Sequence, residues 1–242
     1  AVGLAKRFGS FIALHPLDVT VYPGEFFGVF GPNGAGKSTF IRLLTGQIPP
    51  SRGSANVLGI NPVENPRLLK ANIGIVPESE SPPSFLTGHE FLTMVARLRD
   101  LPDIDDLVQH WLEFFGIADR SRTLCKDLSK GQRQKLMLSA ALMHQPRLLF
   151  LDEPFVNLDP LYQRKSRELL VDYVSAGGTI FLCSHILEIA ERLCPRFAVI
   201  DEGRVLAHGT FEEIRQTGEW TLEDVFIRLV SESEPDGSGV EE

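Results

Sequence analysis

The chain is 242 residues long, 43% apolar and 23% charged, which is ordinary globular usage with ample length for a core, and this excludes wholesale disorder, collagen and coiled-coil rods. Its 24 Lys and Arg against 32 Asp and Glu give a net charge of −8, which argues against a protein whose main business is gripping a nucleic-acid backbone. The charge is uneven: residues 231–242 hold Glu232, Glu234, Asp236, Glu241 and Glu242 with no base, so this tail carries −5 and the body only −3.

Along the chain, the first 24 residues read as antiparallel strands with a Pro23-Gly24 turn. Short apolar runs then alternate with stretches of helical period, which marks an α/β domain with a largely parallel sheet. Residues 25–30, 73–76, 147–151 and 179–183 read as buried strands, and residues 196–200 and 204–207 flank Asp201-Glu-Gly203 as a late hairpin. Between residues 84 and 145 the strand pattern gives way to three helical stretches, an inserted helical subdomain. There Thr87 with Glu90 makes a capping-box pattern ahead of an apolar face of Phe91, Val95 and Leu98. Leu107, Trp111 and Phe115 repeat the stripe before Gly116, a C-terminal stop. The expected organisation is a core over 1–83 and 146–212, the helical subdomain 84–145, a C-terminal helical segment 213–230, and an acidic flexible tail 231–242.

Cys125, Cys183 and Cys194 have no metal-ligand spacing and are too scattered for a disulfide framework, which suits a reducing cytoplasm. No run approaches the ~18 apolar residues of a spanning helix, and no leader pattern opens the chain. A role at a membrane therefore requires another subunit to cross it.

Gly31-Pro-Asn-Gly-Ala-Gly-Lys-Ser-Thr39 fits G-x-x-x-x-G-K-[ST] between a strand and a helical stretch, the context of a phosphate-binding loop. Gly31, Gly34 and Gly36 let the backbone curl so that amides converge on an anion, with the helix N-terminus behind them. Lys37 reaches the β- and γ-phosphates and the Ser38 hydroxyl is placed for Mg²⁺. Downstream, the strand Leu148-Leu-Phe-Leu151 ends in Asp152-Glu153-Pro154, at the sheet edge where ligands bind in parallel sheets. Asp152 suits Mg²⁺, a hard cation that prefers oxygen, and Glu153 suits a general base for the attacking water. Leu128-Ser-Lys-Gly-Gln132 opens a further helix: Ser129 is a good N-cap, but Gly131 in the first turn weakens the helix and points to a close approach, with a second anion site as the physical candidate.

Together these residues resemble the nucleotide-binding subunit of ATP-binding cassette (ABC) transporters, from about residue 2 to residue 230. Residues 31–39 look like the Walker A loop, residues 148–153 the Walker B strand, and residues 128–132 the signature usually written L-S-G-G-Q. Asn157-Leu-Asp159 is similar to the D-loop, His185 to the switch histidine, and Phe8 to the aromatic that stacks on adenine. The resemblance implies a P-loop NTPase (RecA-like) core with a mostly parallel sheet, an N-terminal antiparallel β subdomain and an inserted helical subdomain. It implies an ATPase using ATP and Mg²⁺, with nucleotide contacts from Phe8, Gly31, Asn33, Gly34, Ala35, Gly36, Lys37, Ser38 and Thr39. Ser129, Gly131, Gln132 and Asp159 would act across a head-to-tail pair, with each ATP between one chain's Walker motifs and the other's signature helix, and His185 at the γ-phosphate.

Two departures stand out. Lys130 replaces a glycine of the signature, and Glu78, after Pro77, stands where the family usually has a Gln that touches Mg²⁺, so Glu78 joins Ser38 and Asp152 as an expected metal ligand. The implied partners are a second ABC ATPase subunit, identical or paralogous, and two transmembrane permease subunits, with no nucleic acid. The implied location is cytoplasmic, peripheral on the inner face of the membrane. Residues 193–196, 201–204 and 222–226 look most like the ATPases of ABC-2-type exporters. The competing class, a soluble ABC ATPase acting on ribosomes or DNA, usually carries two cassettes or a long coiled-coil insertion, and this chain shows neither.

Overall fold

A computed structural model describes residues 1–79, 82–216, 218 and 221–233. In chain order its elements are β1 (Val2–Phe8), β2 (Phe11–Leu17), β3 (Phe26–Phe30), α1 (Lys37–Leu44), β4 (Arg52–Ser54), α2 (Pro66–Asn72), β5 (Ile73–Val76), α3 (Gly88–Leu98), α4 (Ile104–Phe114) and α5 (Lys130–Leu142). There follow β6 (Leu148–Asp152), α6 (Pro160–Ser175), β7 (Thr179–Ser184), α7 (Leu187–Leu193), β8 (Arg196–Asp201), β9 (Arg204–Thr210), α8 (Phe211–Ile214) and α9 (Leu222–Ser233). The fold is α/β, in two compact units: residues 1–21, 25–64 and 181 onward form the first, residues 22–24 and 65–180 the second.

In the first unit β1 and β2 form an antiparallel hairpin that closes with Phe8 opposite Phe11. The two-residue turn between them uses Gly9 at φ 57°, a conformation cheap only for glycine. β4 adds to the other edge of β1. This strand is absent from the sequence reading because its three residues, Arg-Gly-Ser, are all exposed and carry no apolar alternation. β3 runs parallel to β8, and β8 turns back antiparallel into β9. Glu202 and Gly203 in that turn both have positive φ, 43° and 73°, as a two-residue hairpin turn with matching twist requires. Every residue of β3 is buried, which is why it reads as an unbroken apolar run. Its Phe27 packs against Phe181 with ring centroids 5.9 Å apart, and Phe40 of α1 meets the same ring edge-on at 5.3 Å.

In the second unit β5 and β6 pair in parallel, Ile73 beside Leu148. α3 begins with the expected capping box: the Thr87 hydroxyl accepts from the Glu90 amide (3.2 Å) and the Glu90 carboxylate accepts from the Thr87 amide (2.8 Å). Its buried face is rotated from the expected one. Phe91, Leu92 and Ala96 are buried, whereas Leu98 is 76% exposed, in a helix that packs against both α4 and α5. On α4, Val108, Trp111, Leu112 and Phe115 fill the core while Leu107 is half-buried. Gly116 ends that helix at φ 61°, where a Cβ would sit 1.8 Å from the Tyr162 hydroxyl.

The helix α9 runs on to Ser233, past the expected end of the helical segment at residue 230. Residues 234–242 of the expected tail lie outside the described residues.

Candidate functional site

The phosphate-binding loop sits in the first unit between the buried β3 and α1. Gly34 and Gly36 have φ of 87° and 105°, so the curl of the loop needs glycine at both. A Cβ on Gly31 would lie 2.0 Å from the Ile200 carbonyl oxygen, and one on Gly36 2.7 Å from that of Ala13. Lys37 is buried, and its Nζ donates to the carbonyls of Gly31 (2.7 Å) and Pro32 (2.9 Å). The ammonium is thus held at the mouth of the loop by acceptors that a stronger, anionic one can replace. Ala35 is buried, Ser38 and Thr39 are half-buried, and Asn33 is exposed. Phe8 is 49% exposed at the end of β1, with Lys6 Nζ over its ring at 4.9 Å from the centroid. His185 is exposed immediately after β7.

The other predicted residues belong to the second unit. Asp152 closes β6 and is buried, as is Glu153. Glu153 has φ 49°, a left-handed backbone that costs a non-glycine residue about 1–3 kcal/mol and persists only where its surroundings hold it. Those surroundings are visible. Gln134 Nε2 of α5 donates to the Pro154 carbonyl (3.1 Å) and Gln163 Nε2 of α6 to the Phe155 carbonyl (3.1 Å). Asp159 caps α6 by accepting from the Tyr162 amide (3.1 Å) and pairs with Lys135 Nζ at 3.5 Å. Desolvation, the largest single influence, raises the Asp159 carboxyl, but the Tyr162 amide and Lys135 together outweigh it and keep the group below the usual range. Burial in turn lowers the Lys135 ammonium, against the pull of Asp159. Its Nζ also lies 3.1 Å from the Tyr162 ring centroid.

Ser129 N-caps α5 in a second capping box: its hydroxyl accepts from the Gln132 amide (3.2 Å) and Gln132 Oε1 accepts from the Ser129 amide (2.9 Å). The oxygen of the Gln132 side chain is thereby committed to the helix end. Gly131 has a reason inside the chain, since a Cβ there would meet the Asn157 carbonyl oxygen at 2.5 Å. The close approach inferred from the sequence is real, and its partner is the backbone leading to Asp159. Glu78 is exposed after β5. Positioning residues Gln134, Lys135 and Gln163 escape the sequence reading. The only signal was polar residues on a helix face otherwise filled by Leu136, Leu138, Ala141 and Leu142, and Gln134 and Lys135 are indeed buried.

Ser38, Asp152 and Glu78 supply only hard oxygen donors, the chemistry Mg²⁺ takes. Among the described residues no group of three or more His, Cys, Asp or Glu side chains forms a protein-built metal cage.

The family model described as ABC transporter matches residues 14–156. Nod factor export ATP-binding protein I of Rhizobium leguminosarum bv. viciae is 39% identical over 209 residues, covering 86% of this chain and 67% of that protein. Daunorubicin/doxorubicin resistance ATP-binding protein DrrA of Streptomyces peucetius is 36% identical over 217 residues, 89% of this chain and 66% of that protein. A solved structure of the ATP binding subunit of an ABC transporter superposes with TM-score 0.88 at 30% identity, covering 95% of this chain and 98% of the other. A dimeric post-hydrolysis ATP-binding cassette bound to ADP and Pi shares the fold, with TM-score 0.79, 21% identity, and coverage of 86% and 97%. With a phosphate loop built between β3 and α1, and relatives matching along most of its length, the chain belongs to the ABC transporter family, as an ATP-binding ATPase.

Proposed function

We propose that this chain is one of a pair of ATPase subunits that power export through separate membrane-spanning subunits. The observation that carries the reading is the phosphate loop, whose Lys37 Nζ already rests on the Gly31 and Pro32 carbonyls where a triphosphate would take it over. The relatives named for Nod factor export and for daunorubicin/doxorubicin resistance support export, and the dimeric cassette of the same fold supports pairing with an identical or paralogous subunit. Among the described residues no helix is long and apolar enough to cross a membrane, so the reading adds permease subunits, with this chain peripheral on the cytoplasmic face. Its docking surface is the helical subdomain 84–145 with the segment after Glu78, of which residues 80 and 81 lie outside the described residues.

In this reading Phe8 stacks on adenine, the amides of residues 31–39 and Lys37 bind the phosphates, and Ser129 and Gly131 face the γ-phosphate held by the other subunit. Glu153, fixed at the end of β6, accepts the proton of the attacking water, and His185 contacts the γ-phosphate. Asp159 serves the same interface from the N-cap of α6. Ser38, Asp152 and Glu78 would hold Mg²⁺, which when bound neutralises phosphate charge. Closure of the pair is driven by the higher affinity of the closed state for ATP.

The test is ATP hydrolysis by the purified chain with Mg²⁺. Glu153→Gln should bind ATP and lose about 10²- to 10⁴-fold in rate, and a near wild-type rate would remove Glu153 as the base. In the same assay, run with the membrane subunits, Glu78→Ala should lower the coupled rate. An unchanged rate removes Glu78 from the metal site.

A further inference from the structure

The turn between β8 and β9 lies far in sequence from Phe8 and from the phosphate loop, yet it touches both halves of the site in the first unit. The Gly203 amide donates to the Ala35 carbonyl (2.9 Å), inside the phosphate loop, while the Gly203 carbonyl accepts from the His15 amide (2.8 Å), on the strand paired with the one that ends in Phe8. Packing is closest here. Gly203 has φ 73°, and a Cβ on it would lie 2.8 Å from the Ala13 carbonyl oxygen and 3.1 Å from Leu14 Cα. A Cβ on Gly36 of the loop would meet that same Ala13 oxygen at 2.7 Å and Gly203 Cα at 3.5 Å. Three backbones thus meet at contact distance, and Gly203 bonds to the other two.

We propose that Gly203 is a positioning residue for nucleotide binding: its N–H and C=O fix the spacing between the β1–β2 hairpin that carries Phe8 and the loop that holds the phosphates. The inference rests on the reading of Phe8 as the adenine platform. A ligand that spans both halves, a purine nucleoside triphosphate, needs that spacing. A ligand that uses the loop alone, inorganic tripolyphosphate, does not. Misplacement by ~1 Å costs up to about a hundredfold where two fixed groups must be met together.

The experiment compares calorimetric affinities for Mg-ATP and inorganic tripolyphosphate in the full chain. Gly203→Ala should weaken ATP at least about ten-fold more than tripolyphosphate, at the low end of that misplacement cost. Gly177→Ala is the matched control, because Gly177 shares the left-handed backbone (φ 95°) but has nothing within 4 Å of a Cβ; it should lower the Tm and leave the ratio of affinities unchanged. Should Gly203→Ala not fold, one glycine inserted between Asp201 and Glu202 shifts the same amide away from Ala35 without adding a Cβ, and is read identically. If the perturbed turn changes both affinities equally, or changes only the Tm, Gly203 is a turn residue and the proposal fails. Phe8→Ala tests the underlying reading separately: an unchanged ratio there refutes adenine stacking on Phe8 and takes the spacing role with it, whereas a shifted ratio there with an unshifted one in Gly203→Ala refutes the spacing role alone.

Discussion

Gly131→Ala gives a change of sign that only the tertiary contact can produce. Gly131 is the second residue of α5 and has no left-handed φ. Judged on the helix alone, alanine should therefore stabilise by up to about 1 kcal/mol. The new Cβ would lie 2.5 Å from the Asn157 carbonyl oxygen, roughly 1 Å inside an ordinary contact. The carbonyl has little room to retreat, since Gln134 and Gln163 hold Pro154 and Phe155 and Lys135 holds Asp159. Overpacking of this kind costs about 1–3 kcal/mol, so a net destabilisation of about 1 kcal/mol is expected, a fall in Tm of about 2–4 °C for a chain this size. Thermal unfolding of the nucleotide-free chain is the assay, because no phosphate contact with a second subunit then contributes. Gly88→Ala is the comparison: it opens α3 in a similar way, but its Cβ would meet the flexible methyls of Leu136 at 3.3 Å and the Ser121 carbonyl oxygen at an ordinary 3.6 Å, and it should be neutral or stabilising. A Gly131→Ala variant more stable than the parent would refute the Asn157 contact as the reason for the glycine.

Two further outcomes follow from the second unit. His144 Nε2 lies 3.1 Å from the Ile73 carbonyl, and burial, reinforced by the Arg99 charge, lowers its pKa to about 4. Because the folded value lies below the ordinary 6.5, the unfolded chain takes the proton first. The contribution is therefore full above about pH 6.5 and lost as pH falls toward 4, worth about 1–2 kcal/mol after discounting for partial exposure. His144→Gln should flatten the drop in denaturant midpoint between pH 7 and 5, and an identical pH profile would contradict this. Arg99 donates from Nη1 to the carbonyls of Lys70 (2.8 Å) and Ala71 (2.9 Å) and from Nη2 to that of Ile73 (3.3 Å), tying the end of α3 to the end of α2 and the start of β5. Arg99→Met should cost about 2 kcal/mol in urea unfolding, and an unchanged midpoint would show that the clamp carries no stability.

The parts of this protein legible in its sequence are those whose physics closes within a few residues. The phosphate loop needs its glycines and lysine at fixed spacing along one turn, and both capping boxes, Thr87 with Glu90 and Ser129 with Gln132, are closed across three residues. The Glu202-Gly203 turn is written in the same local terms. Buried strands announce themselves as unbroken apolar runs, so the α/β class is decided before any contact is known. The edge strand β4 is not so written, because exposed residues that pair by backbone alone leave no pattern in their side chains. Nor is the orientation of α3, whose buried side is set by which neighbours it meets: Leu92 and Ala96 are inside and Leu98 is in solvent.

The glycines make the division plainest. Sequence marks Gly131 as a residue with a reason to be small and Gly203 as a turn residue. That each meets a distant backbone, the Asn157 carbonyl 26 residues away and an Ala13 carbonyl 190 residues away, is decided only when separate segments pack to backbone contact. Such approaches depend on the placement of whole elements, which no local run of residues encodes.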